Sequence, residues 1–291
     1  KYTLITAAQW DHLNLYPTEE SFVNAFDRLA DKTLENNGTL FLCTNGKNLD
    51  TIFNKYNTKL PIYTYGDSTP QFKGISHYHS ELVNSDKDFT YFKVYKDNSL
   101  IGKFKTQLIG NHNIENILGA IMVCDVLNKD IDKVALAISE YKGVRRRQEI
   151  RGINSKGAII IDDLAHSAVK AKATLEALRT RYKNENIVVI FDPHASSLSD
   201  RKSLEWYAGA FDLANKVYIP RVTVKKSTNK EERVYGIDIV NAIKSTQSNA
   251  EYAPSDEILI EKLQSDSDSQ TVIVFMSSGG WRGIIENIIN Y

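Results

Sequence analysis

Between residues 158 and 289, short β-branched runs alternate with stretches of helical spacing, and that alternation leaves few architectures open. Ala158–Asp162 (AIIID), Asn186–Phe191 (NIVVIF), Lys216–Ile219 and Thr271–Met276 (TVIVFM) read as buried strands. Helices are predicted over Val169–Tyr182, where Ala171, Leu175, Leu178 and Tyr182 share a face, and over Lys202–Leu213, Gly236–Ile243, Ser255–Leu263 and Arg282–Ile289. Strands joined through helices run parallel in one sheet, with helices on both of its faces. Ligands of such sheets bind beyond the carboxyl ends of the strands. Three of those ends are polar: Asp162, Asp163 and His166; Asp192, Pro193 and His194; Ser277, Ser278, Gly279 and Gly280.

The first half predicts a second α/β unit. Residues 3–5 read as a strand, Glu19–Glu35 as an amphipathic helix, and Thr39–Cys43 as a strand. Thr90–Val94 and Leu100–Phe104, joined through Lys96-Asp97-Asn98, read as a hairpin, followed by helices over Asn111–Leu127 and Ile131–Tyr141. At 291 residues two domains are expected, and the Lys142-Gly143 step divides them into 1–143 and 144–291. The 36 Lys and Arg residues balance 36 Asp and Glu, which leaves no net field to gather nucleic acid or a membrane surface. No apolar run is long enough to span a bilayer, and the opening KYTLITAAQW has no signal-peptide pattern, so a soluble, cytoplasmic protein is expected. Cys43 and Cys124 are too few for a disulfide framework or a zinc cluster. The chain opens on Lys1 and on a strand, as a fragment of a longer protein would.

Several groups of residues could carry chemistry, each beside a plainer reading. Asn113 and Asn116, in Gly110-Asn111-His112-Asn113-Ile114-Glu115-Asn116, share one face at a helix start. Two carboxamides can pair with a purine edge, and Asn is also a favoured N-cap. Arg145-Arg146-Arg147 offers guanidinium forks to phosphate or ribose oxygens, or is a solvated basic turn. Asp163 and His166 close a strand where a carboxylate can hold ribose hydroxyls and an imidazole can orient a substrate; an N-cap and a surface His would look the same. Ser277-Ser278-Gly279-Gly280 is an anion-friendly nest or a tight turn. His12, in Trp10-Asp11-His12, could ligate a divalent cation or be structural. No G-x-x-x-x-G-K-[ST] cradle occurs.

Taken together these segments resemble the Mur ligase family, ATP-dependent enzymes that join amino acids or peptides to UDP-N-acetylmuramoyl precursors in peptidoglycan synthesis. The family's G-x-H-N-x-x-N is matched by Gly110, His112, Asn113 and Asn116, and its Gly-Val-x-Arg-Arg-x-Glu by Gly143, Val144, Arg146, Arg147 and Glu149. Its Asp-Asp-x-Ala-His is Asp162 to His166. Arg-Arg-Gln-Glu-Ile-Arg-Gly (146–152), Phe-Asp-Pro (191–193) and Met-Ser-Ser-Gly-Gly-Trp (276–281) resemble the branch that joins a murein peptide to UDP-N-acetylmuramate. The alanine-adding branch is the alternative, and a diverged nucleotide-binding module without turnover is a third reading.

The resemblance implies the later part of a central, ATP-binding domain followed by a Rossmann-like C-terminal domain with a mostly parallel sheet. It implies that Asn113 and Asn116 contact adenine, that Arg146 lies against the base, and that Arg147 and Asp163 hold ribose and phosphates. His12 would ligate Mg2+. His166 would face the incoming amine as the catalytic residue, with Asp192, His194, Ser196, Ser277, Ser278 and Gly279 around the substrate. ATP phosphorylates a substrate carboxylate, and the amine then displaces phosphate from the acyl phosphate. The family's UDP-sugar domain and P-loop have no counterpart in these residues, so ligation by the chain alone is not expected. The family's Asp-Asp-Phe-Ala-His-His-Pro stands here as Asp162 to Ala168 without the aromatic, the second His and the Pro, and Pro-Arg-Ser-Asn as Pro193-His194-Ala195-Ser196.

Overall fold

The computed structural model describes residues 1–10, 15–193, 201–222 and 231–291, which divide into two units, Lys1–Tyr141 and Lys142–Tyr291. In the first, β1 (Tyr2–Ile5), α1 (Glu19–Glu35), β2 (Thr39–Cys43), α2 (Leu49–Tyr56), β3 (Ile62–Gly66) and β4 (His77–Ser85) precede the hairpin of β5 (Thr90–Lys96) and β6 (Ser99–Thr106). Two helices, α3 (Asn111–Val126) and α4 (Ile131–Glu140), close the unit. Its sheet follows chain order from β1 to β6, parallel through β4 and antiparallel beyond. Thr18 and Ser21 form a reciprocal cap that starts α1 where the sequence predicts it. Asp97, at φ +53, supplies the left-handed residue that a tight hairpin turn needs. The core gathers Phe41, Leu42, Ile52, Tyr65, Leu118 and Ile121 between sheet and helices.

In the second unit β7 (Glu149–Ile153), β8 (Ile159–Asp163), α5 (Ala168–Arg181) and β9 (Asn186–Asp192) lead to a short 3-10 helix, Arg201–Tyr207. Then follow β10 (Lys216–Pro220), α6 (Gly236–Lys244), β11 (Ala250–Ala253), α7 (Asp256–Asp266), β12 (Thr271–Ser277) and α8 (Ile284–Ile289). The strand order is β11-β10-β9-β12-β8-β7, with only the edge strand β7 antiparallel. All seven residues of β12 are buried, so both faces of the sheet are covered, as its continuous apolar run predicts. Ile160, Val188, Ile273 and Phe275 meet Leu259, Leu263 and Ile284 of the flanking helices on one face.

Two predicted helices differ. Lys202–Leu213 is a 3-10 turn that ends at Tyr207, because Gly209 at φ +74 turns the chain out of the helical path. Tyr207, Ala210 and Phe211 are buried all the same, at the spacing that imitates a helix. Arg282 (φ +50) and Gly283 (φ +83) are both left-handed, which delays α8 to Ile284. Among the described residues no helix is long and apolar enough to cross a membrane.

Candidate functional site

In the second unit, register alone assembles the polar strand ends. β12 lies between β8 and β9, with Met276 opposite Asp163 and Ser277 opposite Asp192. The Ser277 hydroxyl donates to Asp192 Oδ2 at 3.0 Å and accepts the Gly279 N–H at 2.9 Å. Ser278, Gly279 and Gly280 are exposed beyond it. Burial pushes the Asp192 carboxyl up, against the pull of Ser277 and Arg282. Arg282 itself is held by a bidentate pair with Asp256 at 2.8 and 2.6 Å.

The raised Asp192 carboxyl has a consequence for stability. The folded chain holds this proton more tightly than the unfolded chain, so its contribution is present at low pH and is lost as pH rises through the raised value. Asp192→Asn keeps an acceptor for Ser277 and removes the titration. The stability of the natural chain minus that of Asp192→Asn is therefore expected to fall as pH rises above about 4, the ordinary Asp value, in urea titrations. A difference that grows with pH would contradict this.

Asp163 is 5% exposed and accepts three hydrogen bonds. Oδ1 takes the Ala165 N–H at 2.8 Å and the Thr174 hydroxyl at 3.2 Å, and Oδ2 takes the Gln148 N–H at 2.9 Å. The turn from Val144 to Glu149 is thereby fastened to the end of β8, with Leu164 N–H donating to the Arg146 carbonyl at 2.8 Å. Arg146 and Gln148 are left-handed, at φ +59 and +51. From this fixed turn Arg147 is exposed; its N–H donates to the Val144 carbonyl at 3.1 Å, and its guanidinium makes no hydrogen bond or ion pair with the described residues. The Arg146 guanidinium instead turns inward, to the carbonyls of Ser277 and Gly279 at 2.7 and 2.5 Å and to Asp162 Oδ2 at 3.3 Å. Asp162 also receives Arg151, and desolvation still raises its carboxyl. His166 donates from Nδ1 to the Leu164 carbonyl at 2.6 Å, which makes Nε2 the acceptor of the neutral ring.

In the first unit, α3 starts at Gly110 (φ +91) without a side-chain cap, so neither Asn113 nor Asn116 serves as one. Asn113 Nδ2 donates to the Ile109 carbonyl at 2.8 Å, and Asn116 is exposed. Gly119 lets α3 approach β3: a Cβ there would lie 2.9 Å from the Tyr65 ring. Sequence reasoning missed the neighbouring cluster at the ends of β2 and β3. Asn45 donates to Glu115 at 2.6 Å and Asp67 at 3.2 Å, above a buried Cys43 whose thiol burial and Glu115 push up to about 11. That thiol stays protonated and unreactive. The signal was Thr44-Asn45-Gly46 directly after a buried strand.

The expectations on His12, His194 and Ser196 lie outside the described residues. Among the described residues no group of three or more His, Cys, Asp or Glu could hold a metal ion.

Residues 1–124 match the Mur ligase middle domain, and residues 145–279 match the Mur ligase glutamate ligase domain. A UDP-N-acetylmuramate–L-alanine ligase from Caldanaerobacter subterraneus subsp. tengcongensis is 26% identical over 92% of this chain and 56% of its own length. The chain spans about half the length of the curated relatives it matches. The crystal structure of the UDP-N-acetylmuramate–alanine ligase of Thermotoga maritima superposes with a TM-score of 0.75 at 24% identity, covering 98% of this chain and 57% of that one. A murein peptide ligase from Psychrobacter arcticus superposes with a TM-score of 0.51 at 19% identity, covering 86% of this chain and 50% of that one. With both domains present in order, each on its own mostly parallel sheet, the chain belongs to the Mur ligase family.

Proposed function

We propose that the protein carrying this chain is an ATP-dependent amide ligase that activates the carboxylate of UDP-N-acetylmuramate and joins it to L-alanine. The carrying observation is the joint presentation, at the ends of β8, β12 and β9, of an unpaired Arg147 on a fixed turn and of the Asp192–Ser277 pair. The relatives that act on L-alanine favour that amine. A second reading keeps the same activation with a murein peptide as the amine, favoured by the 191–193 and 276–281 segments.

The donor set suits a nucleotide. Each unit by itself carries groups of that kind: carboxamides of Asn113 and Asn116 in the first, suited to adenine, and the Arg147 fork in the second, suited to ribose or phosphate oxygens. Transfer of the terminal phosphoryl group to the carboxylate gives ADP and an acyl phosphate. The amine nitrogen then bonds to the carbonyl carbon, the bond to the phosphate oxygen breaks, and inorganic phosphate leaves. Asp192 receives the incoming ammonium, with His166 beside it as a substrate-facing residue. Asp163 acts beneath these groups, by anchoring the turn that carries Arg147.

Arg147→Ala is expected to raise the KM for ATP roughly ten- to hundred-fold, the worth of a charged hydrogen bond. Arg145→Ala, from the same turn, should leave it within about two-fold. Equal effects of the two would refute the assignment. The reading itself is tested with the full-length protein, ATP, magnesium and UDP-N-acetylmuramate, with L-alanine and L-Ala-γ-D-Glu-diaminopimelate in separate reactions. Product with alanine supports the first reading, product with the tripeptide alone the second, and product with neither refutes both.

A further inference from the structure

Three consecutive backbone carbonyls, those of Ser277, Ser278 and Gly279, converge on one guanidinium. Arg146 Nη2 donates to Ser277 at 2.7 Å and to Gly279 at 2.5 Å, and Nη1 reaches Ser278 at 3.5 Å. Carbonyl oxygens gathered in this way repel one another unless a cation sits among them. The same guanidinium lies 3.3 Å from Asp162 Oδ2, and the Asp162 side chain is 3% exposed. Asp162 Oδ1 has no hydrogen-bond partner among the described residues, so its charge depends on Arg146 and Arg151. Arg146 is in turn fixed at its own backbone: its N–H donates to Glu149 at 2.8 Å, and its φ is +59.

This loop sets a second contact. With the Ser277–Gly279 carbonyls turned toward Arg146, the Gly279 N–H reaches Ser277 Oγ at 2.9 Å, and that hydroxyl holds Asp192 at 3.0 Å. We propose that Arg146 is a positioning residue that acts through the Ser277–Gly279 loop to aim Asp192 at the incoming amine. The proposal rests on the ligase reading given above. Its N–H groups are committed within the fold, so Arg146 serves the amine side while its neighbour Arg147 serves the nucleotide. Lysine cannot replace it, because one ammonium cannot span three carbonyls and a carboxylate with a planar fork.

The test uses the full-length protein with Arg146→Lys, Arg146→Ala and Ser277→Ala. Each is expected to raise the KM for the amine substrate roughly ten- to hundred-fold, as misplacement of a binding group does. The KM for ATP should stay within about two-fold. The double variant Arg146→Ala/Ser277→Ala should be no worse than the more impaired single variant, because both changes cut one chain of contacts. Should Arg146→Ala fail to fold, Arg146→Lys and Ser277→Ala carry the comparison. An unchanged amine KM in Arg146→Lys, equal rises for ATP and amine, or additive effects would overturn the proposal. Hydrogen exchange at the Gly279 amide reads the loop without turnover, and faster exchange in Arg146→Lys is expected. If the natural protein ligates nothing while that exchange quickens, the ligase reading fails and the loop-holding role stands; unchanged exchange overturns that role.

Discussion

Asp163→Ala is expected to cost about 3–5 kcal/mol of stability, because it strands three donors at once, each worth about 1–3 kcal/mol when left unsatisfied. Ala165 N–H is buried, Thr174 is 7% exposed, and Gln148 N–H ties the turn after Gly143 to β8. The full sum is not reached, since the Thr174 hydroxyl can rotate and water can enter near Gln148. A fall in melting temperature of roughly 10 °C follows for a unit of this size. Asp163→Asn retains one acceptor and sets an amide against an N–H, for a loss of about 1–2 kcal/mol. Asn116→Ala is the contrasting variant. The Asn116 side chain is exposed and bonded to no described residue, so stability should change by less than about 0.5 kcal/mol. Nucleotide affinity should nevertheless fall about five- to hundred-and-fifty-fold, the worth of a lost hydrogen-bond partner. Thermal unfolding and nucleotide titration together separate the anchor from the ligand contact; equal stability of the two variants would refute the division.

Phe275→Ala is the larger change in the core. Phe275 is fully buried on β12, with its ring edge-on to Trp281 at 5.1 Å. Trp281 follows directly on the Ser277–Gly280 loop and packs with Ile284, Ile285 and Ile288, so the ring fixes where the loop rejoins α8. Truncation removes apolar contact and leaves a cavity that a sheet covered on both faces cannot close, for about 3–5 kcal/mol. Phe275→Leu, which keeps most of the volume, should cost less than about 1.5 kcal/mol. Urea unfolding checks both, and a Phe275→Ala loss below about 1 kcal/mol would show that the face repacks.

The strands legible in the sequence are β8, β9, β10 and β12, continuous apolar runs buried on both sides, together with β1, β2 and the β5–β6 hairpin, and α1 shows its amphipathic face. The elements without a legible pattern were β3, β4, β7, β11 and α2. β7 and β11 are half exposed and short, and β4 loses its alternation in an exposed second half. The helix predicted over Lys202–Leu213 failed because buried Tyr207, Ala210 and Phe211 keep helical spacing across a left-handed glycine. Strand ends were readable as polar clusters, and parallel register then made Ser277 and Asp192 neighbours. The inward turn of Arg146 was not readable, because nothing in Arg145-Arg146-Arg147 announces a left-handed arginine at the middle position.

The proposed ligase activates a carboxylate by phosphorylation. The most direct measurement gives the full-length protein UDP-N-acetylmuramate labelled with oxygen-18 in its carboxylate, with ATP, magnesium and L-alanine. The expected products are ADP, the amide and inorganic phosphate that carries one labelled oxygen from the carboxylate. Amide formed with AMP and pyrophosphate, or phosphate released without label, would contradict it.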